Sequence, residues 1–241
     1  MQLIGYKWGG CKGLLTKIVF SLPKDDPPLM GCLNCPKMVK MHAKILNLED
    51  ETAFSQCVYA LAGGGIVIAP TETSYGMLAD ASNPKAVEKV FRLKARDFTK
   101  PLSIFAFDME MASKYAALTP LASRLAKKYL PGPLTLILEK KTPFKLANNL
   151  SKGKTIGIRI SSHPAIIAIT YNFNKPITAT SANLSGAGEI YSSGIAIRDF
   201  AQVADIIIDG GNIPPFPPST IVDCTGKTPK IVRQGAIKIK Q

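Results

Sequence analysis

The clearest pattern in this sequence is a short apolar run at positions 66–69, which follows three glycines and ends at Pro70. Isoleucine, valine and alanine without a polar interruption predict a strand that is buried on both faces. Five hydrogen-bonding side chains follow at positions 71–75. Open α/β sheets bind ligands at the carboxyl ends of their strands, so this polar turn is a candidate binding segment; an ordinary polar loop is the alternative.

Helical spacing alternates with short apolar runs along most of the chain. Apolar positions 54, 57, 58 and 61 predict one helix, and a second helix from Pro84 carries Val87, Val90 and Phe91 on one face and extends that face to Lys94. Further helices are predicted from Thr119-Pro120 and near 194–203. Further strands are predicted at 104–107, 134–138, 155–160, 177–180, 205–208, 219–222 and 231–232. Several connections are too short for crossover helices, so the pattern predicts an α/β domain with a twisted, mixed β-sheet flanked by helices.

The first 45 residues lack this periodicity and contain a proline-rich breaker cluster at 23–28. We therefore predict an N-terminal appendage over residues 1–45, with disorder as one interpretation, and a single domain over 46–241. Cys32 and Cys35 have metal-ligand spacing, and Cys11 and His42 could complete a zinc site. The outer spacings match no common zinc module, so zinc is the minor alternative.

Composition narrows the class of protein. No apolar run approaches the roughly 18 residues needed to span a bilayer, so we expect no membrane association. A net charge of +13 favours a phosphate-bearing partner, although charge also serves solubility alone. The five cysteines are scattered and odd in number, which argues against a disulfide framework and for a cytoplasmic protein.

Polar clusters follow the predicted strands and helices. Cations gather at Lys94, Arg96 and Lys100, while residues 181–185 carry hydroxyl and amide groups. A solvated basic turn is the alternative for the cations. Two Gly-Lys-Thr triplets lack the rest of a P-loop, and no nucleophile has an obvious neighbouring base. The composition of the clusters favours binding several anionic groups and stabilising charge during transfer at phosphorus.

Eight segments, in order, resemble the YrdC-like threonylcarbamoyl-AMP synthases, and the resemblance covers about residues 50 to 236. The matching segments are residues 70–76, Lys94 with Arg96, residues 100–102, residues 131–135, Arg159 with His163, residues 180–186, residues 219–223 and residues 233–235.

The resemblance implies a nucleotidyltransferase that makes threonylcarbamoyl-AMP and pyrophosphate from L-threonine, bicarbonate and ATP, for threonylcarbamoyladenosine modification of tRNA. It implies ATP as a substrate, helped by Mg²⁺, with no protein residue assigned to the metal. Lys94, Arg96 and Arg233 would bind the phosphates. The implied substrate-binding residues are Thr71, Arg159, Ser181 and Ser219 for threonine, Asn183 and Thr135 for the nucleotide, and additionally Thr73, Tyr75, Lys100, His163 and Ser185.

Some positions depart from the family pattern. Ser161 and Ser162 occupy the segment where a proline is common, and Glu72 and Ser74 replace the more frequent aspartate and valine. The sequence ends soon after residue 235, as expected for the short form, which relies on partner proteins for transfer to tRNA. Two alternatives remain: a non-catalytic RNA-binding module that uses the basic surface, and a carbamoyltransferase that uses carbamoyl phosphate.

Overall fold

A computed structural model describes residues 43–151 and 153–239 of the chain. The suggested zinc ligands Cys11, Cys32, Cys35 and His42 lie outside these ranges, as does nearly all of the predicted appendage. Within them, the first strand begins at Lys44 and pairs in parallel with a strand near residue 206. The sheet therefore starts two residues before the boundary that the sequence predicted.

The described residues form one mixed sheet of ten strands in the order β1-β8-β2-β3-β7-β4-β6-β5-β9-β10. The strands are β1 (Lys44–Asn47), β2 (Val67–Pro70), β3 (Tyr75–Leu78), β4 (Ser103–Phe105), β5 (Leu134–Glu139), β6 (Thr155–Arg159), β7 (Ile177–Ser181), β8 (Ile206–Asp209), β9 (Thr220–Asp223) and β10 (Lys230–Arg233). The sheet contains parallel pairs such as β4 with β6 and antiparallel pairs such as β2 with β3. This arrangement confirms the predicted mixed α/β sheet.

The helices pack against this sheet. They are α1 (Ala53–Ala62), α2 (Pro84–Leu93), α3 (Met109–Ser113), α4 (Pro120–Tyr129), α5 (Pro164–Phe173) and α6 (Ser193–Phe200). Strand β2 lies between two hydrophobic clusters. Ile68, with Ile66 just before the strand, belongs to the larger cluster, which includes residues of α2 and α4. Val67 and Ala69 belong to the smaller cluster, which includes residues of α1 and α5. All four residues of β2 are buried, as the unbroken apolar run predicted.

Local capping explains where the site-bearing helices begin. Asn83 Oδ1 accepts hydrogen bonds from the backbone N–H groups of Lys85 and Ala86, and Pro84 occupies the first turn of α2. The predicted face of α2 is buried and ends at Lys94, which is only 2% exposed. The predicted helix start at Thr119 is also confirmed, because the Thr119 hydroxyl caps α4.

The sequence analysis did not predict β1, β3, α3 and α5. Helix α5 buries Ala165, Ile166, Ile169 and Phe173. Apolar residues are found on most of its faces, so the sequence shows little of the helical alternation between apolar and polar positions. Strand β3 begins at Tyr75, within the segment that was interpreted as a polar turn. In the described part of the chain, the helices are all too short or too polar to cross a lipid bilayer.

Candidate active site

Strands from the centre of the sheet to the β10 edge, with their loops, line an open cavity of about 660 Å³. Most of the side chains that the sequence singled out face it. The predicted residues that line it are Thr71, Thr73, Lys94, Arg96, Lys100, Thr135, Arg159, Ser181, Asn183, Ser185, Ser219 and Arg233. The fold therefore brings together clusters that are separated by up to about 160 positions in the sequence.

Lys94 caps the C-terminus of α2 and directs its ammonium group onto the loop after β7. Nζ donates hydrogen bonds to the carbonyl oxygen of Ser181, to the carbonyl oxygen of Asn183 at 2.7 Å and to Asn183 Oδ1 at 2.9 Å. The Lys94 carbonyl also accepts a hydrogen bond from Ser185 N at 2.8 Å. An ammonium group has three N–H donors, and in Lys94 all three bind this loop.

Burial lowers the pKa of Lys94 to about 8, and the neighbouring Arg96 contributes in the same direction. The positive charge remains available to an anion in the cavity through space, although the N–H groups are already used. Lys94 thus supplies charge and shapes the Ser181–Asn183 loop at once.

Two arginines from different segments add further positive charge to the cavity lining. Arg96 follows Ala95, whose positive φ of 45° turns the chain out of α2, and its Nη2 donates to the carbonyl of Pro101 at 2.9 Å. Arg233 lies on the edge strand β10, at a register shift in its pairing with β9, and donates to Ser219 O at 2.8 Å and to Ser219 Oγ at 3.0 Å. Burial lowers the pKa of both arginines, yet neither loses its charge in the physiological range.

Arg159 lies at the end of β6 in an ion pair with Glu72 from the turn after β2. Nη2 of Arg159 lies 2.8 Å from Glu72 Oε1, and it also donates to Thr73 Oγ1 at 3.1 Å. The Ser161 hydroxyl donates to the other Glu72 oxygen. The Phe105 ring lies under the guanidinium, with its centroid 5.4 Å from Cζ. The guanidinium is therefore held on three sides.

Hydroxyl groups complete the polar lining. Thr71 Oγ1 donates to Ser74 O at 2.8 Å and accepts from Thr73 N at 3.1 Å, which fixes the turn between β2 and β3. The parallel pairing of β5 with β9 places Thr135 Oγ1 3.0 Å from Ser219 Oγ. These buried hydroxyls offer donors and acceptors whose positions are set by the sheet.

Gly157 on β6 contributes to the floor of the cavity between these groups. A Cβ atom at this position would clash with the Ser103 hydroxyl and would lie 3.3 Å from Thr135 Cγ2. The absence of a side chain lets β4 and β5 residues approach from both sides, and it keeps the floor flat.

Tyr75 and His163, which the sequence also suggested, lie outside the cavity lining. The Tyr75 hydroxyl donates to Gly211 O at 2.9 Å and accepts from Gly210 N at 3.1 Å, so it ties two loops together. His163 caps α5, because its Nδ1 accepts from Ala165 N at 3.2 Å, and burial lowers its pKa. Strand alternation explains the first case: the neighbours Ser74 and Gly76 line the cavity, whereas Tyr75 points to the opposite face.

Sequence reasoning missed Glu189, which also lines the cavity. Oε2 of this side chain is buried and has no hydrogen-bond partner among the described residues. The segment around it, residues 186–192, has no periodicity or spacing that would have indicated it. Within the ranges that the structure covers, no group of three or more histidine, cysteine, aspartate or glutamate residues is arranged to hold a metal ion.

The geometry suits the binding of several anionic groups side by side. Lys94 and Arg96 follow α2, Arg159 ends β6 and Arg233 ends β10, and each is fixed by hydrogen bonds to the protein. Fixed cations and dipoles stabilise developing charge without having to reorganise during a reaction. Electrostatic stabilisation and positioning are the chemistry that this set of residues can perform.

Comparison with known proteins gives a family for this arrangement. The family model for Sua5, YciO and YrdC proteins, described as "Telomere recombination", matches residues 59–235. A Methanocaldococcus jannaschii protein, provisionally named a threonylcarbamoyl-AMP synthase, is 38% identical over 213 residues, which cover 88% of this chain and 98% of that protein.

Two solved structures are similar in fold. The crystal structure of Pyrococcus abyssi Sua5 complexed with L-threonine has a TM-score of 0.74 and 31% identity, covering 80% of this chain and 57% of that chain. Escherichia coli YciO has a TM-score of 0.74 and 26% identity, covering 82% of this chain and 98% of YciO. The chain thus spans little more than half of the P. abyssi protein but nearly all of the shorter relatives. Together with the matched family model, these similarities show that the chain belongs to the Sua5/YciO/YrdC family.

Proposed function

We propose that this protein is an L-threonylcarbamoyladenylate synthase, which converts L-threonine, bicarbonate and ATP into threonylcarbamoyl-AMP and pyrophosphate for the threonylcarbamoyladenosine modification of tRNA. The observation that carries the proposal is the convergence of four fixed cations and several hydroxyls in one cavity of about 660 Å³. Membership of the family and relatives named threonylcarbamoyl-AMP synthase support it.

The reaction brings like charges together. The threonine amine bonds to the bicarbonate carbon with loss of water, and an oxygen of the resulting carbamate attacks the α-phosphorus of ATP while the bond to pyrophosphate breaks. Both reacting groups are anionic, so cations must offset their repulsion. We assign Lys94, Arg96 and Arg233 to the phosphates, because all three line the cavity, Arg96 is close enough to Lys94 to lower its pKa, and Glu189 acts on the charges of both Lys94 and Arg233.

We assign Arg159 to the threonine carboxylate, supported by Thr71, Thr73, Ser181 and Ser219. A P. abyssi relative binds L-threonine. Thr135 and Asn183 would line the nucleotide side, with Thr135 in hydrogen-bond contact with Ser219, and Lys100 and Ser185 would lie at the rim. Tyr75 would instead tie two loops together, and His163 would cap α5.

Mg²⁺ fits this site through one residue, because Glu189 presents an oxygen without a hydrogen-bond partner in the described structure. When bound with ATP, the metal ion would neutralise phosphate charge. Arg96 and Arg233 would still orient the phosphate oxygens through their remaining N–H groups.

The wider setting is also part of the proposal. We propose that the catalytic domain begins with β1 at Lys44, two residues before the predicted boundary, that the residues before it are an appendage, and that the reaction takes place in the cytoplasm. Partner proteins would transfer the product to tRNA, and the net charge of +13 would favour contact with RNA.

The test is pyrophosphate release from ATP and bicarbonate with and without L-threonine, for wild type, Arg96→Ala and the control Arg92→Ala. Arg92 lies in the last turn of α2, four residues before Arg96, but its side chain is 71% exposed and pairs with Glu88. We expect threonine-dependent release that Arg96→Ala lowers at least about tenfold, or ~1.4 kcal/mol of barrier, and that Arg92→Ala leaves unchanged. Folded wild-type protein without threonine-dependent release would overturn the proposal, and RNA and carbamoyl phosphate would be tested next.

A further inference from the structure

Glu189 lies between two fixed points of the backbone. On one side, Asn183 Nδ2 donates to the carbonyl oxygens of Ala187 at 2.6 Å and Gly188 at 3.2 Å. On the other side, Ile190 O accepts a hydrogen bond from Tyr75 N at 2.8 Å. The position of Glu189 at the cavity wall is therefore set by the fold.

The Glu189 carboxylate interacts with the Tyr191 side chain, but one of its two oxygens has no hydrogen-bond partner in the described part of the chain. Its Oε2 atom is buried and has no hydrogen-bond partner within residues 43–151 and 153–239. Burying a carboxylate oxygen without a partner costs free energy, unless a ligand supplies the missing contact. An oxygen left in this state next to a cavity is suited to a cation that arrives with the substrate.

The surroundings of Glu189 are cationic. Its negative charge raises the pKa values of Lys94 and Arg233, against the larger lowering effect of burial on each. Asn183 links these groups directly, because it accepts from Lys94 through Oδ1 and holds the Glu189 loop through Nδ2. Glu189 thus borders the part of the cavity that we assign to the phosphates.

Mg²⁺ is commonly bound by one or two carboxylates together with phosphate oxygens and waters. Among the residues that the structure describes, two acids line this cavity, Glu189 and Asp97. Asp97 already uses Oδ1 to accept a hydrogen bond from Thr99 N at 2.8 Å. Glu189 is therefore the carboxylate whose unpartnered oxygen matches the needs of a nucleotide-bound Mg²⁺.

We propose that Glu189 is the protein ligand of the Mg²⁺ that accompanies ATP, with Oε2 as the coordinating atom. This inference rests on the proposed function only in that it places ATP phosphates beside Lys94 and Arg233. Glu189 would then make the protein bind the Mg²⁺ complex of ATP more tightly than free ATP.

Two measurements test the proposal. The first is the dissociation constant of ATP by isothermal titration calorimetry, without threonine or bicarbonate, in EDTA and in excess Mg²⁺. The second is the electron paramagnetic resonance spectrum of Mn²⁺ titrated into protein with ATP. Wild type is compared with Glu189→Gln and with Asp97→Asn, which removes the same charge from the same cavity.

We expect Glu189→Gln to change ATP affinity differently in EDTA and in excess Mg²⁺. Free ATP should bind at least as tightly as to wild type, because a negative charge near the phosphates is gone, and this binding also shows that the variant is folded. The gain in affinity from Mg²⁺ should fall at least about tenfold, with weaker Mn²⁺ binding. Asp97→Asn should keep the full gain from Mg²⁺.

Other outcomes overturn the inference. If Glu189→Gln tightens ATP binding equally with and without Mg²⁺, Glu189 is only a counter-ion for Lys94 and Arg233. If wild type binds ATP and Mg²⁺ adds nothing, the metal site is wrong while the proposed function stands. If wild type binds ATP in neither condition, the proposed function fails, and the inference falls with it.

Discussion

Arg159 Nη2 lies 2.8 Å from Oε1 of Glu72, and the two side chains are 9% and 13% exposed. In the described part of the chain, the hydrogen bonds of Arg159 use only Nε and Nη2. Glu72 therefore covers one edge of the guanidinium and leaves Nη1 as the end that can meet a substrate carboxylate. The acid fixes the direction in which the arginine presents its charge.

Removing the charge of Glu72 should destabilise the protein. In Glu72→Gln, Arg159 stays buried without a counter-ion, and we expect the free energy of unfolding to fall by about 2 to 3 kcal/mol. Ser161→Ala is the matched control, since it removes only the hydroxyl that donates to Glu72 and should cost about 1 kcal/mol. Urea unfolding measures both. Equal losses in the two variants would show that the ion pair adds nothing beyond its hydrogen bonds.

Replacing Arg159 by lysine should weaken threonine binding selectively. Lysine keeps the charge but loses the planar group that Glu72 orients, so we expect the dissociation constant of L-threonine to rise roughly tenfold. The dissociation constant of ATP should change by less than about twofold, because Arg96 and Arg233 remain. Calorimetric titration of each ligand separates the two effects. A variant that loses ATP affinity instead would place Arg159 on the nucleotide side.

The pKa of Lys94 makes ATP binding sensitive to pH. Burial lowers this pKa from 10.5 to about 8, so the ammonium loses its proton as the pH rises above 8. The charge facing the phosphates and one of the donors to the Ser181–Asn183 loop are then lost. We expect ATP affinity to decline between pH 7.5 and 9.5 in wild type, and this decline to be absent in Lys94→Met.

The contribution of Lys94 to protein stability should rise with pH, whereas its contribution to ATP affinity falls. Between pH 8 and 10.5 the unfolded chain keeps the Lys94 proton while the folded protein has released it, so the unfolded state binds more protons. Relative to Lys94→Met, wild type should therefore gain stability as the pH rises through this window. Urea unfolding at pH 7.5 and 9.5 tests the sign, and a relative loss would contradict the lowered pKa.

A methyl group on Gly157 should disturb the floor of the cavity. The added Cβ meets the Ser103 hydroxyl and Thr135, and we expect Gly157→Ala to cost about 1 to 3 kcal/mol of stability. Adding Ser103→Ala removes the closest atom and should restore part of that loss. If the double variant is no more stable than expected from adding the two single effects, the two positions are not in contact as the structure has them.

Much of the fold could be predicted from local signals. The apolar run before Pro70 predicted strand β2, and the face ending at Lys94, with Pro84 at the helix start, predicted α2. Helix α5 was missed because its apolar content blurs the helical period. Strand β3 was missed because Tyr75 follows four polar residues directly, so the end of the turn has no local marker.

The candidate site, like the fold, could be predicted from the sequence only in part. By itself, the sequence determined which strand and helix ends carry cations and hydroxyls, because hydrophobic period and capping act between near neighbours. Only the tertiary structure decided their contacts: Glu72 meets Arg159 across 87 positions, and Lys94 commits its donors to Ser181 and Asn183. It also turned Tyr75 away from the cavity and placed Glu189 in it. Contacts of this kind depend on strand pairing between distant segments, which leaves no trace in local periodicity.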